Sequence, residues 1–274
     1  MKGRTFYINS LEKAHLLKLD GYSVVYTKSK GKHHCSVSVP LRQITRVVIF
    51  GNFAIPVELF SMFSELQIPI LFIGSDSEKI STSICLPFES SFLNSSLKGI
   101  LANSVKKEDF IKWLKSQRKQ ARQSIARELS RFINRHNENI QEDNYEKILS
   151  LVIPSSSHRW ENVRTLIQSL FFLYCIDVCI RFFSVNPHEG IFNSFRNFGC
   201  VRDMLYLIDP EIDYQSVLFF KECSIKYLDK RNLQEEPIDT VTILNVITRF
   251  EERLYHTSSV MRNMKEKIDK LLRA

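Results

Sequence analysis

Apolar residues recur along this 274-residue chain with two different periods, and the change comes about a third of the way through. Up to about residue 88 they alternate or form short runs of strand length; from about Asn94 they return every three to four positions. Arg4-Thr5-Phe6-Tyr7-Ile8 and Ala14 to Leu19 read as strands. Asp20-Gly21 is a hairpin signal leading into Tyr22 to Thr27. The basic segment Lys28 to Lys32 makes the next turn, and His34 to Val39 alternates cleanly, as a strand with one buried and one wet face does. After Pro40, Gln43 to Gly51 is more continuously apolar and reads as a more deeply buried strand. Pro56 can open a helix over Val57 to Leu66, and Pro69 to Gly74 and Ile80 to Leu86 complete the strands.

The helical part is predicted as segments at roughly Lys106 to His136, Gln141 to Ile153, Trp160 to Phe183, Tyr214 to Leu228, Thr240 to Tyr255 and Ser259 to Arg273. Leu166, Leu170, Leu173, Ile176 and Ile180 make the Trp160 segment the hub of a helical core. Strands first and helices after predict an α+β fold. The length exceeds what one core usually fills, so two domains are expected: an N-terminal β domain over residues 1–88 and an all-α domain over 89–274.

Charge adds a partner to this picture. A formal net charge of +8 and a pI near 9.1 make a polyanion the default ligand, nucleic acid above all. The Lys106 segment concentrates that charge. Lys112, Lys115, Lys119 and Arg122 fall at i, i+3, i+7 and i+10, and Arg127, Arg131 and Arg135 continue the stripe at every fourth residue; Arg118 lies between. Like charges at such spacings oppose an isolated helix by a few tenths of a kcal/mol per pair, roughly 0.2–0.5. A row of phosphates would relieve them, whereas a merely solvated face usually mixes signs.

Other classes are excluded or unsupported. No P-loop, G-x-G-x-x-G, H-E-x-x-H or G-x-S-x-G occurs. The six cysteines lack C-x-x-C spacing, and Cys175 and Cys179 share one face of an apolar helix, which points to reduced, buried thiols. The longest apolar run, Ser169 to Val185, is interrupted by Asp177 and Arg181, so no membrane partner is expected. The N-terminus has no apolar signal core, and the expected location is the cytoplasm.

One stretch combines candidate chemistry with a helical pattern. Between Asn186 and Ile212 a polar turn containing His188 leads to a loop with Arg196, then to a run in which Asp203 flanks the stripe of Met204, Leu207 and Ile208. An acid beside an apolar stripe must be paired or hold a metal. Arg202 and Arg196 are the partners nearest in sequence.

The order of these parts resembles the CRISPR-associated adaptation integrases, the metal-dependent proteins that insert new spacers in antiviral defence. Val47 to Asn52 and Ile68 to Ile73 resemble that family's β-domain signatures, and Arg118 to Arg131 its basic helix. Asn162 and Asn186-Pro187 bound an apolar helix of similar length; Gly190-Ile191-Phe192-Asn193 falls on a G-F-L-H motif, and Asp203 to Pro210 on D-L-x-E-x-F-x-P. The resemblance implies a homodimer through the β domain, DNA with 3′ ends and a CRISPR repeat as ligands, and a small adaptation partner protein or an active relative as companion. In that family a Glu, a His and an Asp bind a divalent metal that activates a DNA 3′-hydroxyl. Carried over, Asp203 takes the Asp position, Asn193 stands at the His position, Tyr206 at the second acid, and Glu142, or else Glu146, at the Glu position. His188 is the imidazole available to replace the missing one. Three readings follow: a catalytically degenerate DNA-binding scaffold without a cofactor; an active integrase or endonuclease with Mg2+ or Mn2+ on Glu142, His188 or Asn193, and Asp203; and a basic nucleic-acid-binding protein outside adaptation.

Overall fold

The segment Ile44–Phe50 forms a strand buried at every position, which only a sheet covered on both faces allows. This strand, β5, is central in the computed structural model, which describes residues 4–9, 15–30, 33–51, 54–75, 80–86, 97–131, 144–153, 157–227 and 240–274. β5 runs parallel to β1 (Arg4–Asn9) on one side and to β6 (Ile70–Ser75) on the other, and β7 (Ile80–Cys85) adds an antiparallel edge. Between β1 and β5 the chain makes a second, antiparallel sheet from β2 (His15–Asp20), β3 (Ser23–Lys30) and β4 (His33–Pro40). Asp20 pairs with Ser23 across the predicted hairpin, and Gly21 takes φ +57, open to glycine without steric cost.

The two faces of the four-stranded sheet serve different cores. Phe6, Ile8, Val47, Ile49 and Ile70 pack with Leu59 and Phe63 of α1 (Val57–Glu65) and with Leu17, Val24 and Tyr26 of the second sheet. The alternate residues Val48, Phe50, Leu71 and Ile73 belong to the core built around α5 (Ser157–Asp177). All five predicted hub residues are buried, four in α5 and Ile180 in the turn that follows, each worth about 1.5–3 kcal/mol when taken fully out of water. Including the π-helical turn Val178–Phe183 that follows, the segment Trp160–Phe183 is long and apolar enough to cross a membrane by length and composition. In this fold 72% of its most apolar window is buried inside the protein.

Around α5 lie α2 (Lys98–Leu101), α3 (Ser104–Ser130), α4 (Tyr145–Val152), α6 (Gly199–Tyr227) and α7 (Thr240–Arg273). Asn103 caps α3, its side-chain oxygen accepting from the amides of Val105 and Lys106. Two helix boundaries differ from the sequence expectation. α6 runs unbroken through Pro210, and α7 joins what the pattern divides near Thr257. In α7 the buried stripe simply continues through Phe250, Thr257, Met261 and Met264, and Ser258 returns its hydroxyl to the carbonyl of Leu254. The reason for the unbroken α6 emerges at the candidate site.

Polar pins fasten sheet to helices. Asn162 accepts from the Ile80 amide at 3.1 Å, and the Ser169 hydroxyl meets Thr82 at 2.9 Å. Deeper, the Arg46 guanidinium on β5 donates to Thr5 at 2.8 and 3.1 Å and to Asp177 at 3.4 Å, and it lies 5.2 Å from the Tyr174 ring centroid. Thr5 and Tyr7 both donate to Glu251 of α7. Burial raises the Asp177 carboxyl above the ordinary range, against the pull of Arg46 and Arg181. With Arg46 only 4% exposed, removing one partner strands the other charge in the interior. Arg46→Ala should therefore cost about 3–5 kcal/mol in denaturant unfolding, whereas Arg46→Met combined with Asp177→Leu should cost much less.

Candidate functional site

Where the chain leaves the π turn it folds back on itself between two glycines. A Cβ on Gly190 would sit 2.3 Å from the Gly199 carbonyl carbon, and one on Gly199 would sit 2.6 Å from the Asn193 carbonyl oxygen. Backbone meets backbone there, so the G of the G-I-F-N stretch is required by close approach. The turn is closed by further bonds: the Pro187 carbonyl accepts from the Cys200 amide at 3.2 Å, and the His188 carbonyl from Gly199 at 3.1 Å. Phe198 adopts φ +59, a left-handed conformation that costs a bulky residue about 1–3 kcal/mol. Its ring is held by Phe172 at 5.1 Å and His188 at 4.2 Å.

Asp203, in the first turns of α6, faces this loop. Its Oδ2 accepts from the amides of Ile191 and Phe192 at 2.7 and 3.0 Å; its Oδ1 accepts from the Asn193 amide at 2.9 Å and from Asn193 Nδ2 at 2.8 Å. An ionised carboxylate offers about four lone-pair sites, and four donors fill them. Burial raises the Asp203 carboxyl above its ordinary value, opposed by these same four bonds. The pairing with Arg202 or Arg196 expected from sequence is therefore replaced by backbone amides. Arg202 spends its Nε on the Asn197 carbonyl, and Arg196 is exposed. The amides win because they already lie against the buried acid and bring no charge to desolvate.

Among the described residues this geometry does not fit a divalent metal. Asp203 has no free oxygen, and Asn193 turns its NH2 group toward it. His188 uses Nδ1 to accept from the Phe198 amide at 3.2 Å, which places its proton on Nε2, and burial lowers its basicity. Tyr206, at the second acid position, packs its ring 5.1 Å from Phe192. Among the described residues no three His, Cys, Asp or Glu side chains converge as a metal site. Glu142 lies outside the described residues; Glu146 is paired with Arg122 at 2.8 Å. The structure thus brings Asn193, Asp203 and His188 to one turn, as its framework.

The basic helix divides into two faces. Lys112, Lys115, Lys119, Arg127 and Arg131 are exposed, Lys112 pairing with Glu108 and Arg131 with Glu128; Arg135 lies outside the described residues. Arg118 and Arg122 instead turn into the bundle. Arg122 lies over the Tyr145 ring, 4.9 Å from its centroid. Arg118 donates to Asp209 at 2.8 Å and to the Tyr206 carbonyl at 2.7 Å, while stacking 4.3 Å from the Tyr206 ring. That carbonyl is the one left without its i+4 donor by Pro210, so Arg118 supplies the missing hydrogen bond and α6 continues. Arg164 completes the network, bonding Asp209 at 2.8 Å and Asp213 at 2.7 Å, with the Tyr145 hydroxyl donating to Asp213. Sequence reasoning missed this network; its signal was Asp209 and Asp213 at i, i+4 around an in-helix proline.

No family model and no curated protein matches the sequence. Solved structures do match the fold. A casposase bound to its integration product aligns over 98% of this chain and 90% of its own, at 11% identity and TM-score 0.70. A Cas1 protein from Thermotoga maritima aligns over 98% and 96%, at 17% identity and TM-score 0.67. A Cas1 protein in complex with DNA, TtCas1, aligns over 99% and 92%, at 9% identity and TM-score 0.61. The chain has the Cas1 fold along nearly its whole length.

Asp203→Asn would present an NH2 group to amides that themselves donate. The expected cost is at least about 1–3 kcal/mol per donor left unpaired, in metal-free buffer. Hydrogen exchange should quicken at the Ile191, Phe192 and Asn193 amides. Unchanged stability and protection without metal would assign Asp203 to some other role.

Proposed function

We propose that this chain is a DNA-binding protein of the Cas1 type, serving CRISPR spacer acquisition as a structural subunit whose own metal centre has been replaced by a hydrogen-bonded anchor. The observation that carries this reading is the Asp203 carboxylate, occupied by four donors from the 191–193 turn. An Asn at position 193 reinforces it, since an amide is a poorer metal donor than an imidazole and takes up no proton near neutral pH.

The ligand in this reading is duplex DNA with 3′ ends or a CRISPR repeat, held by the outer face of α3. Lys112, Lys115, Lys119, Arg127 and Arg131 supply cations there, and the chain carries a formal net charge of +8. Two structural neighbours, the casposase and TtCas1, are themselves seen with nucleic acid or its integration product. The β region over residues 1–88 is the proposed homodimer surface, because the edges of both sheets need a cover. Strand joining is then left to an active relative or to a complex that includes the small adaptation partner.

Two measurements test this. Affinity for duplex DNA should fall steeply with salt, with a log–log slope of about −0.9 per phosphate neutralised. Lys112→Glu, Lys115→Glu and Lys119→Glu together should remove most binding with the fold intact, whereas Arg118→Ala should lower stability. A salt-insensitive affinity, or a triple variant that binds like wild type, removes α3 as the interface.

The second is a strand-transfer and cleavage assay with Mg2+ and Mn2+. Wild type should show no activity above background. Robust wild-type activity that Asp203→Ala abolishes, in a variant verified as folded, overturns the anchor reading. Activity gained only by Asn193→His would identify the loss of this imidazole as the step that silenced the site.

A further inference from the structure

We propose that Phe195 is a base-stacking residue, its ring receiving the face of an unpaired nucleobase while Lys107, Arg196 and Arg202 attract the flanking phosphates. The proposal rests on the nucleic-acid reading above and goes beyond it, to single-stranded DNA at a defined point. Phe195 is 98% exposed. Its neighbours in the loop are not: Ile191 is buried, and Phe192 and Phe198 pack against the helical core. An apolar ring held wholly in water gains nothing for the fold.

The ring is presented by an ordered turn. Asn193 is fixed on both its amide and side chain by Asp203, and its carbonyl accepts from the Arg196 amide at 3.1 Å. Lys107 reaches from α3 to bond the Ser194 hydroxyl at 3.3 Å, and Arg202 bonds the Asn197 carbonyl at 2.9 Å. The backbone on either side of Phe195 is therefore set before any ligand arrives, which lowers the ordering cost of binding.

The chemistry around the ring favours a nucleobase over a protein surface. Lys107 places its ammonium 5.7 Å from the ring centroid, Arg196 and Arg202 are exposed, and residues 191–202 contain no acid. The adjacent loop positions are Ser194, Arg196 and Asn197, all polar. A stable protein interface needs about 800 Å² on each partner with an apolar centre, which one ring among polar neighbours does not supply. Stacking on a base needs one aromatic face, with cations for the backbone, and is indifferent to sequence. The base must be unpaired, because within a duplex both of its faces are already stacked on neighbours.

The test compares wild type, Phe195→Ala and Phe195→Trp by fluorescence anisotropy on one labelled duplex, blunt or carrying a single-stranded oligo-dT 3′ tail. Phe195→Ala should weaken binding of the tailed DNA by roughly 5- to 150-fold. It should leave blunt duplex binding and the unfolding midpoint unchanged. Phe195→Trp should restore tailed-DNA affinity, and its added indole emission should be quenched by the tail alone. Equal affinity of wild type and Phe195→Ala for the tail overturns the proposal, as does an equal loss on both DNAs. Loss of self-association in Phe195→Ala, with DNA affinity unchanged, overturns it in favour of a contact with a second copy. If the lysine reversals on α3 abolish duplex binding while Phe195→Ala changes nothing, only the stacking role fails. If wild type binds neither DNA, the DNA reading fails and the stacking role with it.

Discussion

Four hydrogen bonds converging on the Asp203 carboxylate set the geometry from which the rest of this region follows. Three consecutive amides, Ile191 to Asn193, and one side-chain amide aim at a single buried acid. Amides buried without partners would each cost free energy, so acid and loop stabilise one another. With the acid fixed on α6, the loop is pinned to the start of that helix, and Gly190 can lie directly on Gly199. The exposed turn that carries Phe195 and Arg196 is a consequence of that closure. The same four bonds that order the loop engage both oxygens of the carboxylate.

Arg118 plays a comparable part in the helical bundle. A proline within a helix removes a donor and leaves the carbonyl four residues earlier unsatisfied. The Arg118 guanidinium answers that carbonyl at Tyr206 and the Asp209 carboxylate together, and so ties α3 to α6 across the defect. Arg164 ties α5 to the same acid and to Asp213. α3 is thereby divided by function along its length of sequence and around its circumference. Its inward arginines hold the bundle, and its outward lysines lie at the surface.

The four-stranded sheet couples the halves of the chain because it has no free face. β5 gives Val47 and Ile49 to the strand-rich core and Val48 and Phe50 to the helical one. Arg46, at the end of that alternation, links β1, the C-terminal end of α5 and, through Thr5, the middle of α7. A disturbance at this cluster reaches both cores.

The sequence by itself determined the α+β order, the Asp20-Gly21 hairpin, the double-faced burial of β5 and the apolar column of α5. Each is written in local periodicity or in one residue's backbone preference, which the chain carries wherever it goes. It also brought Gly190, Asn193 and Asp203 into one short stretch and put a basic stripe on α3. Only the tertiary structure decided what those residues do. Whether Asp203 meets arginines, a metal or three amides depends on how residues 186–199 fold back, and whether Pro210 ends a helix depends on Arg118, ninety-two positions away in sequence. The same holds for the stripe, in which Lys115 and Arg118 read alike as cations yet face water and bundle respectively. Hydrogen bonds and ion pairs of this kind join residues distant in the chain, and their partners are chosen by packing, which no local pattern records.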